Sequence, residues 1–423
     1  MIIGKTKRIT ITNSYKIYCG AIMSKKLILL LLLSFPISEA LIAQSSIEIY
    51  GYAQSSYLLY NNKYDPYPPQ GEQNYTYHNM GINQLNLFFN KDFGDNFSSF
   101  INLEFINNYS SDKGFGSFNL QEAYIKWDYR DFLKVKFGMI IPQFNSLFEI
   151  YNRTPLLPYI IRPKLYDATT GNLVDIFDIL PQKALIQIYG VVPIESANIE
   201  YALFAGNPPN KFLSSPDNDI LPGYVPYGQS GEKFFCYGGR IGLKYGNLKA
   251  GVSGNIDVDN RQNFIKNYSG DVVNLGNMDR YRLGADIYLS MGKFEFSSEF
   301  LITATDVPTD IQDSLNTWNA SEPYFIGKSF DKKFFYATLQ YNYDEKLFIY
   351  VMYDYLNDKL DPYYFGLDGY YGAHIGGGYY INDSIILKFQ YNKNFARYDT
   401  GENFIPKRDY SENIYAFGAS VTF

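Results

Sequence analysis

Cysteine and histidine are nearly absent, with two of each in 423 residues. Cys19 falls in the leading stretch, and Cys236 is alone in the remainder, so the processed chain has no internal disulfide. That excludes a secreted protein built of small disulfide-stapled domains, and it leaves Cys236 as a small apolar filler on a strand. His78 and His374 have no second histidine or cysteine at metal-ligand spacing, and His78 lies in no recognisable nucleophile context. Asp306, Asp310, Asp313 and Glu322 read as a solvated acidic loop rather than a calcium site. No phosphate-cradling glycine loop is present. The chain is therefore expected to be neither an enzyme nor the holder of a metal or cofactor. Long apolar runs are missing too. The one such stretch, Leu27 to Leu33 continued through Ile37, is too short to cross a bilayer as a helix.

That stretch follows Lys25 and Lys26 and leads through Ser38, Glu39, Ala40, Leu41, Ile42 and Ala43 into Gln44. A basic head, a short apolar core and small residues at the end make residues 1–43 a signal peptide, with Met23 as a candidate true start. The cut falls after Ala43, or after Ala40, where Ser38 supplies a small residue at the third position back. The leader holds Lys5, Lys7, Arg8, Lys16, Lys25 and Lys26 against Glu39, so its removal makes a chain of net charge −6 more acidic. An acidic surface argues against nucleic acid as a partner.

What the chain has in quantity is tyrosine and phenylalanine, 42 and 33 residues. Both suit half-buried strands, and tyrosine suits the belt where hydrocarbon meets water. The last ten residues set the pattern. Tyr415, Phe417, Ala419, Val421 and Phe423 share one parity, and Ala416, Gly418, Ser420 and Thr422 share the other. Sixteen segments from Ile47 onward follow the same alternation: 47–58, 82–92, 96–107, 117–128, 132–140, 182–191, 196–206, 233–245, 247–258, 277–289, 292–304, 332–343, 345–356, 370–380, 383–393 and 413–423. Tight connections at 92–96, 129–131, 192–196, 246, 290–291, 344 and 381–382 alternate with long ones at 59–81, 108–116, 141–181, 207–232, 259–276, 305–331, 357–369 and 394–412. A sandwich has no reason to gather its long loops at one end. A transmembrane barrel does, with tight turns on the periplasmic side and long loops outside. The expected fold is all-β: residues 44–423 form a sixteen-stranded antiparallel transmembrane β-barrel, its long third external loop folded into the lumen. The segment 413–423 is expected to close the cylinder against the strand beginning at Ile47.

Charges on a lipid-facing wall are costly, so the charged parity faces inward. Tyr281, Leu283, Ala285, Ile287 and Leu289 oppose Arg280, Arg282, Gly284 and Asp286. The inner wall then carries Lys134, Lys136, Arg240, Lys244, Lys249, Arg280, Arg282, Lys293 and Lys388, with Glu104, Glu200, Asp286, Glu295, Glu299 and Asp354. Bases concentrate on the fifth and eighth to tenth segments and acids on the tenth to thirteenth. Separated walls of opposite sign would set a transverse field across a water-filled lumen. The fourth segment breaks parity: Phe118 and Leu120 disagree with Ala123, Ile125 and Trp127. Either a bulge near Gln121 and Glu122 or an outward Glu122 in a subunit interface reconciles them.

The connection 141–181 is the longest and far from hydrophilic, with Phe144, Leu147, Phe148, Tyr159, Ile160, Ile161 and Leu165 among its apolar residues. Exposed, it would aggregate; folded inward it narrows the channel and brings Glu149, Arg153, Arg162, Lys164, Asp167, Asp175 and Asp178 to the solute path. A lid or a subunit contact is the rival placement. Asn152 to Pro155 make a turn, and Pro158 and Pro163 limit helix formation.

The stretches Gly81 to Phe93 (GINQLNLFFNKDF), Gly114 to Tyr124 (GFGSFNLQEAY), Gly138 to Phe148 (GMIIPQFNSLF) and Glu149 to Pro163 (EIYNRTPLLPYIIRP), with the aromatic C-terminus, resemble outer-membrane porins of the phosphate-selective O/P-like family, in particular their relatives from Bacteroidetes. The resemblance covers most of the first 210 residues. It implies a sixteen-stranded barrel, commonly a homotrimer in outer-membrane lipid of a Gram-negative bacterium, whose third external loop constricts the pore. The function expected is passive diffusion of small hydrophilic solutes or ions. The other reading is a non-conducting barrel acting as a surface receptor or scaffold in an envelope complex. The arginines and lysine ladder of phosphate-selective members are not matched in full, and Asp167, Asp175 and Asp178 oppose a purely anionic filter.

Overall fold

The computed structural model of the chain describes residues 47–64, 73–109, 117–148, 150–167, 184–206, 236–259, 264–266, 272–274, 278–306, 329–358, 367–398 and 408–423. The strands come in chain order. The first nine are β1 (Glu48–Tyr64), β2 (Gln73–Gly94), β3 (Phe97–Tyr109), β4 (Ser117–Arg130), β5 (Leu133–Ile140), β6 (Ala184–Ile194), β7 (Ala197–Gly206), β8 (Cys236–Tyr245) and β9 (Leu248–Asp259). Two short strands, β10 (Phe264–Lys266) and β11 (Val272–Asn274), pair with each other apart from the main sheet. The rest are β12 (Met278–Met291), β13 (Phe294–Asp306), β14 (Ser329–Asn342), β15 (Leu347–Asp358), β16 (Leu367–Asn382), β17 (Ile385–Tyr398) and β18 (Arg408–Thr422).

All strands except β10 and β11 form one closed antiparallel barrel of sixteen, each hydrogen-bonded to its sequence neighbours. Closure is made by β18 against β1, in register from Tyr52 opposite Thr422 to Tyr64 opposite Tyr410. Reciprocal backbone bonds finish the seam, Gly51 N to Phe423 O at 2.8 Å and Phe423 N to Gly51 O at 3.0 Å. The sixteen alternating segments of the sequence are these sixteen strands. Closure leaves no strand edge, which hydrocarbon would not tolerate.

The alternation has the expected physical result. On β12, Leu283 is 67% exposed on the outside while Arg282 is 1% exposed within. On β15, Ile349, Val351 and Tyr353 face out against Tyr350, Met352 and Asp354. Exposed aromatic residues gather towards both ends of the outer wall: Phe97, Phe132, Tyr245, Phe294, Tyr343 and Phe423 at the turn end, and Phe118, Tyr237, Tyr281 and Tyr371 at the other. An apolar band between two aromatic girdles is the surface of a membrane-spanning barrel.

The tight turns use residues that accept the required backbone. Asp95 and Asn96 between β2 and β3 have φ of 50° and 66°, and Gly246 and Gly292 have φ of 54° and 60°. Between β14 and β15, Asp344 Oδ1 accepts the backbone N–H groups of Lys346 at 2.8 Å and Leu347 at 2.7 Å. Those bonds hold its carboxyl below the usual aspartate range.

The structure corrects the extent of the strands at the other end. Most of 59–81 is not loop: β1 and β2 continue as a paired hairpin, with Tyr57 opposite Met80 and Asn62 opposite Tyr75. Asn61, Asn62, Thr76 and His78 interrupt the apolar alternation there, and residues 74–78 are exposed although they lie on a strand. Tyr60 stacks on Tyr77 at 4.4 Å, and Thr76 donates to Asn61 at 3.0 Å. His78, expected in a loop, lies on β2 beside the Tyr57 hydroxyl at 2.5 Å. β17 and β18 likewise extend outward, with Arg397 3.4 Å from Asp409.

The parity break on β4 is a bulge. Asn102 pairs with Glu122 and Leu103 with Leu120, leaving Gln121 as the extra residue. Gln121 and Glu122 are both buried while Leu120 and Ile125 face out. The two halves of the strand thereby present their apolar residues to the same side.

Placing arginine on the outer wall tests the membrane assignment. Val351→Arg, mid-strand on β15, is expected to destabilise the barrel by about 2–4 kcal/mol, and Ile381→Arg near the turn end by about 1 kcal/mol or less. Denaturant unfolding in lipid vesicles measures both, and equal costs would contradict a depth-dependent wall.

Candidate functional site in the barrel lumen

Residues 141–148 and 150–167 lie against the inward-facing side chains of strands all round the barrel. Two apolar patches of the segment account for most of the packing. Ile140, Ile141, Phe144, Leu147 and Phe148, with Leu165 and Tyr166, form one cluster with Phe204, Leu301, Phe334, Tyr336, Leu356 and Tyr370. Cys236 is part of it, its Sγ 3.1 Å from the Asn255 amide. Tyr159 packs with Phe348, Tyr350 and Met352, and Ile160 and Ile161 pack with Leu58, Tyr60, Ile414 and Ala416. The apolar residues that made this connection anomalous in the sequence are the ones buried here. A Cβ on Gly284 of β12 would collide with the Asn145 side chain, so glycine is what lets the segment approach that strand.

Two short 3₁₀ turns, Tyr151–Leu156 and Lys164–Tyr166, are the only regular elements among the described residues of the segment. Its remaining backbone groups need other partners. The barrel wall supplies them from side chains. Gln390 on β17 accepts from Ile160 N at 2.8 Å and Ile161 N at 2.9 Å, and its amide donates to Ile161 O at 2.8 Å. Gln54 on β1 donates to Ile160 O at 3.0 Å. Lys388 on β17 donates to the carbonyls of Pro155 at 3.0 Å, Leu157 at 2.6 Å and Tyr159 at 3.3 Å. Glu299 on β13 accepts from Leu147 N at 2.5 Å and the Tyr166 hydroxyl at 2.7 Å. Asp354 on β15 accepts from Lys164 N at 2.5 Å and stands 3.0 Å from His374 Nε2. Of the candidate site residues, Lys388 and Glu299 are thus holders of the segment. His374, without metal-ligand company in the sequence, is a partner of Asp354.

The inner charges are not arranged as two walls of opposite sign. Bases stand beside acids instead, some across adjacent strands and some across an intervening one, in place of the expected separated walls. Asp257 on β9 binds Arg280 at 2.8 Å and Arg282 at 2.8 Å, and all three are buried. Arg282 also donates to Asn255 at 2.5 Å. Arg240 on β8 meets Asp286 on β12 at 2.6 Å and Glu200 on β7 at 3.8 Å, and Lys249 reaches the same Glu200 at 3.1 Å. The reason is registry: Arg280 stands opposite Asp257 across β12 and β9, so attraction is satisfied locally before any field can build. Asp257 was missed in the sequence, although it shares the parity of Lys249 and could have been found by continuing the count along β9.

Burial sorts the candidates into two groups. Arg162, Lys164, Asp167, Arg280, Arg282, Asp286, Glu299 and Lys388 are buried, and Lys136 nearly so, its ammonium 4.8 Å from the Tyr124 ring and 5.2 Å from that of Tyr189. Burial pushes the Lys164 ammonium below the ordinary lysine value, with Asp167, Glu412 and Asp354 opposing. Lys134, Lys244, Lys249 and Glu295 keep access to solvent, as do Lys126, Asp128 and Glu200. Lys126 meets Asp128 at 2.6 Å, and Lys134 lies 3.9 Å from Asp128 and 3.8 Å from Asp131. Arg153, in the first 3₁₀ turn, is exposed. Glu149, Asp175 and Asp178 lie outside the described residues. A cavity of about 960 Å³ sits at the turn end, between Leu156 and Pro158 of the segment and Lys293, Glu295, Asn342 and Tyr380 of the wall. Among the described residues no group of three or more His, Cys, Asp or Glu is placed to hold a metal ion.

No family model matches the chain, and no curated protein matches it. Solved structures do. OmpT of Vibrio cholerae, in a form lacking its loop L8, is 13% identical over 90% of this chain and 99% of its own, with a TM-score of 0.52. The outer membrane channel DcaP of Acinetobacter baumannii is 13% identical over 90% of this chain and 98% of its own, with a TM-score of 0.51. The shared feature is the outer-membrane porin fold. An anion-selective porin from Comamonas acidovorans has it too, 13% identical over 90% of this chain and all of its own (100%), at a TM-score of 0.50.

Removing the hub of the buried ion triad leaves two guanidinium groups without their carboxylate. Asp257→Ala is expected to cost about 3–5 kcal/mol. Double replacement of Arg280 and Arg282 by methionine together with Asp257→Ala is expected to recover most of that loss. Urea unfolding of the three proteins in detergent measures both, and an unimpaired Asp257→Ala would contradict the pairing.

Proposed function

We propose that the protein is a passive channel in the outer membrane of a Gram-negative bacterium, through which small hydrophilic solutes or ions diffuse. One observation carries this reading: a closed barrel with an apolar outer wall and a charged inner wall draws its own connecting segment inside, where that segment narrows the way through. No energy input and no catalytic group is needed. Size, water and the field of the wall do the sorting.

The inner charges that keep solvent access are of both signs, Lys126, Lys134, Lys244 and Lys249 against Asp128, Glu200 and Glu295. They support mild ion selectivity rather than an anion filter. The likeness of residues 81–163 to phosphate-selective porins therefore extends in this reading to the channel and its constriction, residues 141–181, and to a homotrimer, but not to phosphate. Residues 1–43 serve as the export signal.

A second reading is favoured by the depth of packing in the lumen. Glu299, Asp354 and Lys388 are covered by the segment, and a barrel so filled suits a non-conducting surface receptor or scaffold. Single-channel recording in planar bilayers separates the two. Current steps of a water-filled pore are expected; sealed membranes in every salt would defeat the channel and favour the scaffold. Deleting residues 144–178 is expected to enlarge the steps, and an unchanged step would remove the segment from the path. Lys134→Glu with Lys244→Glu is expected to move the reversal potential in a salt gradient towards cation preference. No movement would mean that those two lysines do not face permeating ions.

A further inference from the structure

We infer that Lys388, Gln390 and Gln54 are positioning residues that hang the constricting segment from the seam where the barrel closes, and so set the aperture of the channel. This rests on the channel reading for its electrical consequence and on geometry alone for the latch.

The three side chains come from strands on either side of β18, the strand that completes the barrel. Gln54 is their hub. Its Oε1 accepts from Lys388 Nζ at 3.1 Å and from the Ser420 hydroxyl of β18 at 3.1 Å, while its amide donates to Ile160 O. One buried side chain thus touches β1, β17, β18 and the segment. Lys388 gathers the carbonyls of Pro155, Leu157 and Tyr159, at the end of the first 3₁₀ turn and just beyond it, in a stretch that holds two prolines. With Gln54 Oε1 that makes four acceptors round one ammonium, whose three donors are shared among them. Gln390 then completes the adjoining residues by giving Ile161 both a donor and an acceptor, as a neighbouring strand would.

Hydrogen bonds from the wall hold the segment at three places: Glu299 takes Leu147 N, Asp354 takes Lys164 N, and the densest set, from Gln54, Lys388 and Gln390, holds 155–161. All three latch residues and Ile160 are buried, so water does not replace a lost partner cheaply. The latch therefore fixes how far residues 155–161 stand from the seam, with Glu299 and Asp354 holding the segment on either side of it.

The experiment compares the unaltered chain with Lys388→Met, which keeps the length and apolar stem of the side chain and removes its donors. Gln390→Leu is the second probe, in case the first fails to fold. Each is purified as the folded barrel, recorded in planar bilayers, and exposed to trypsin. The Lys164–Leu165 bond, buried in the intact protein, reports the seating of the segment. With either variant the current steps are expected to become larger, and cleavage after Lys164 to become about tenfold faster or more. Steps of unchanged size in a conducting protein would overturn the positioning role, because a merely stabilising contact leaves the aperture as it was. If the unaltered chain passes no current, the channel reading fails, and the trypsin result alone decides the latch: faster cleavage upholds it, continued protection overturns it.

Discussion

In hydrocarbon, or where a barrel lumen is packed dry, a backbone N–H or C=O has no water to fall back on. Most of this structure follows from that constraint. Between strands it is met by the ladder, and it forces the ladder to close, which the Gly51 and Phe423 pairs do at the very end of the register. The segment 141–167 cannot meet it in the same way, having no strand to pair with and prolines at 155, 158 and 163. Its amides and carbonyls are met instead by side chains that reach in from the wall, Gln54, Glu299, Asp354, Lys388 and Gln390. The inner wall is consequently polar for two reasons. Part of it faces solvent, and part of it substitutes for missing secondary structure.

The same constraint explains the pairing of charges. A buried guanidinium is tolerable only beside a carboxylate with good geometry. Arg280 and Arg282 are two residues apart on β12 and share the single carboxylate of Asp257, with Asn255 taking up another donor of Arg282. Among charges with solvent access the separations range from 2.6 Å for Lys126 and Asp128 to 3.8 Å and 3.9 Å around Lys134. The charges that keep solvent access, Lys126, Asp128, Lys134, Glu200, Lys244, Lys249 and Glu295, lie towards the tight-turn ends of their strands.

The fold was legible in the sequence because lipid imposes a rule on every second residue, and a rule repeated sixteen times survives local exceptions. Even the exception on β4 pointed to its own cause, since a parity break between Leu120 and Ala123 has few remedies besides an extra residue. Legibility ended where lipid ended. The β1–β2 hairpin beyond the bilayer obeys no alternation, and its polar residues looked like loop. The site was legible in a different measure. Too much apolar surface in a long connection indicated that something covers it, and the inward parity named Lys388 and Glu299. What they hold was not readable, because Gln54 and Lys388 meet through registers that neither one's neighbours reveal. Gln54 and Gln390 carried no charge to draw attention, and Asp257 needed its partner's register to acquire a role.

The seat of residues 155–161 is assembled from the two extremes of the barrel sequence, Gln54 on the first strand and Lys388, Gln390 and Ser420 on the last two. No partly built sheet contains that seat. The segment has been made early, directly after β5, yet it has nowhere to go until the final strand has found the first. Ile160 and Ile161 share that dependence, because the wall they pack on is Leu58 and Tyr60 of the first strand with Ile414 and Ala416 of the last. The seat of this stretch is therefore completed only by the pairing that completes the barrel.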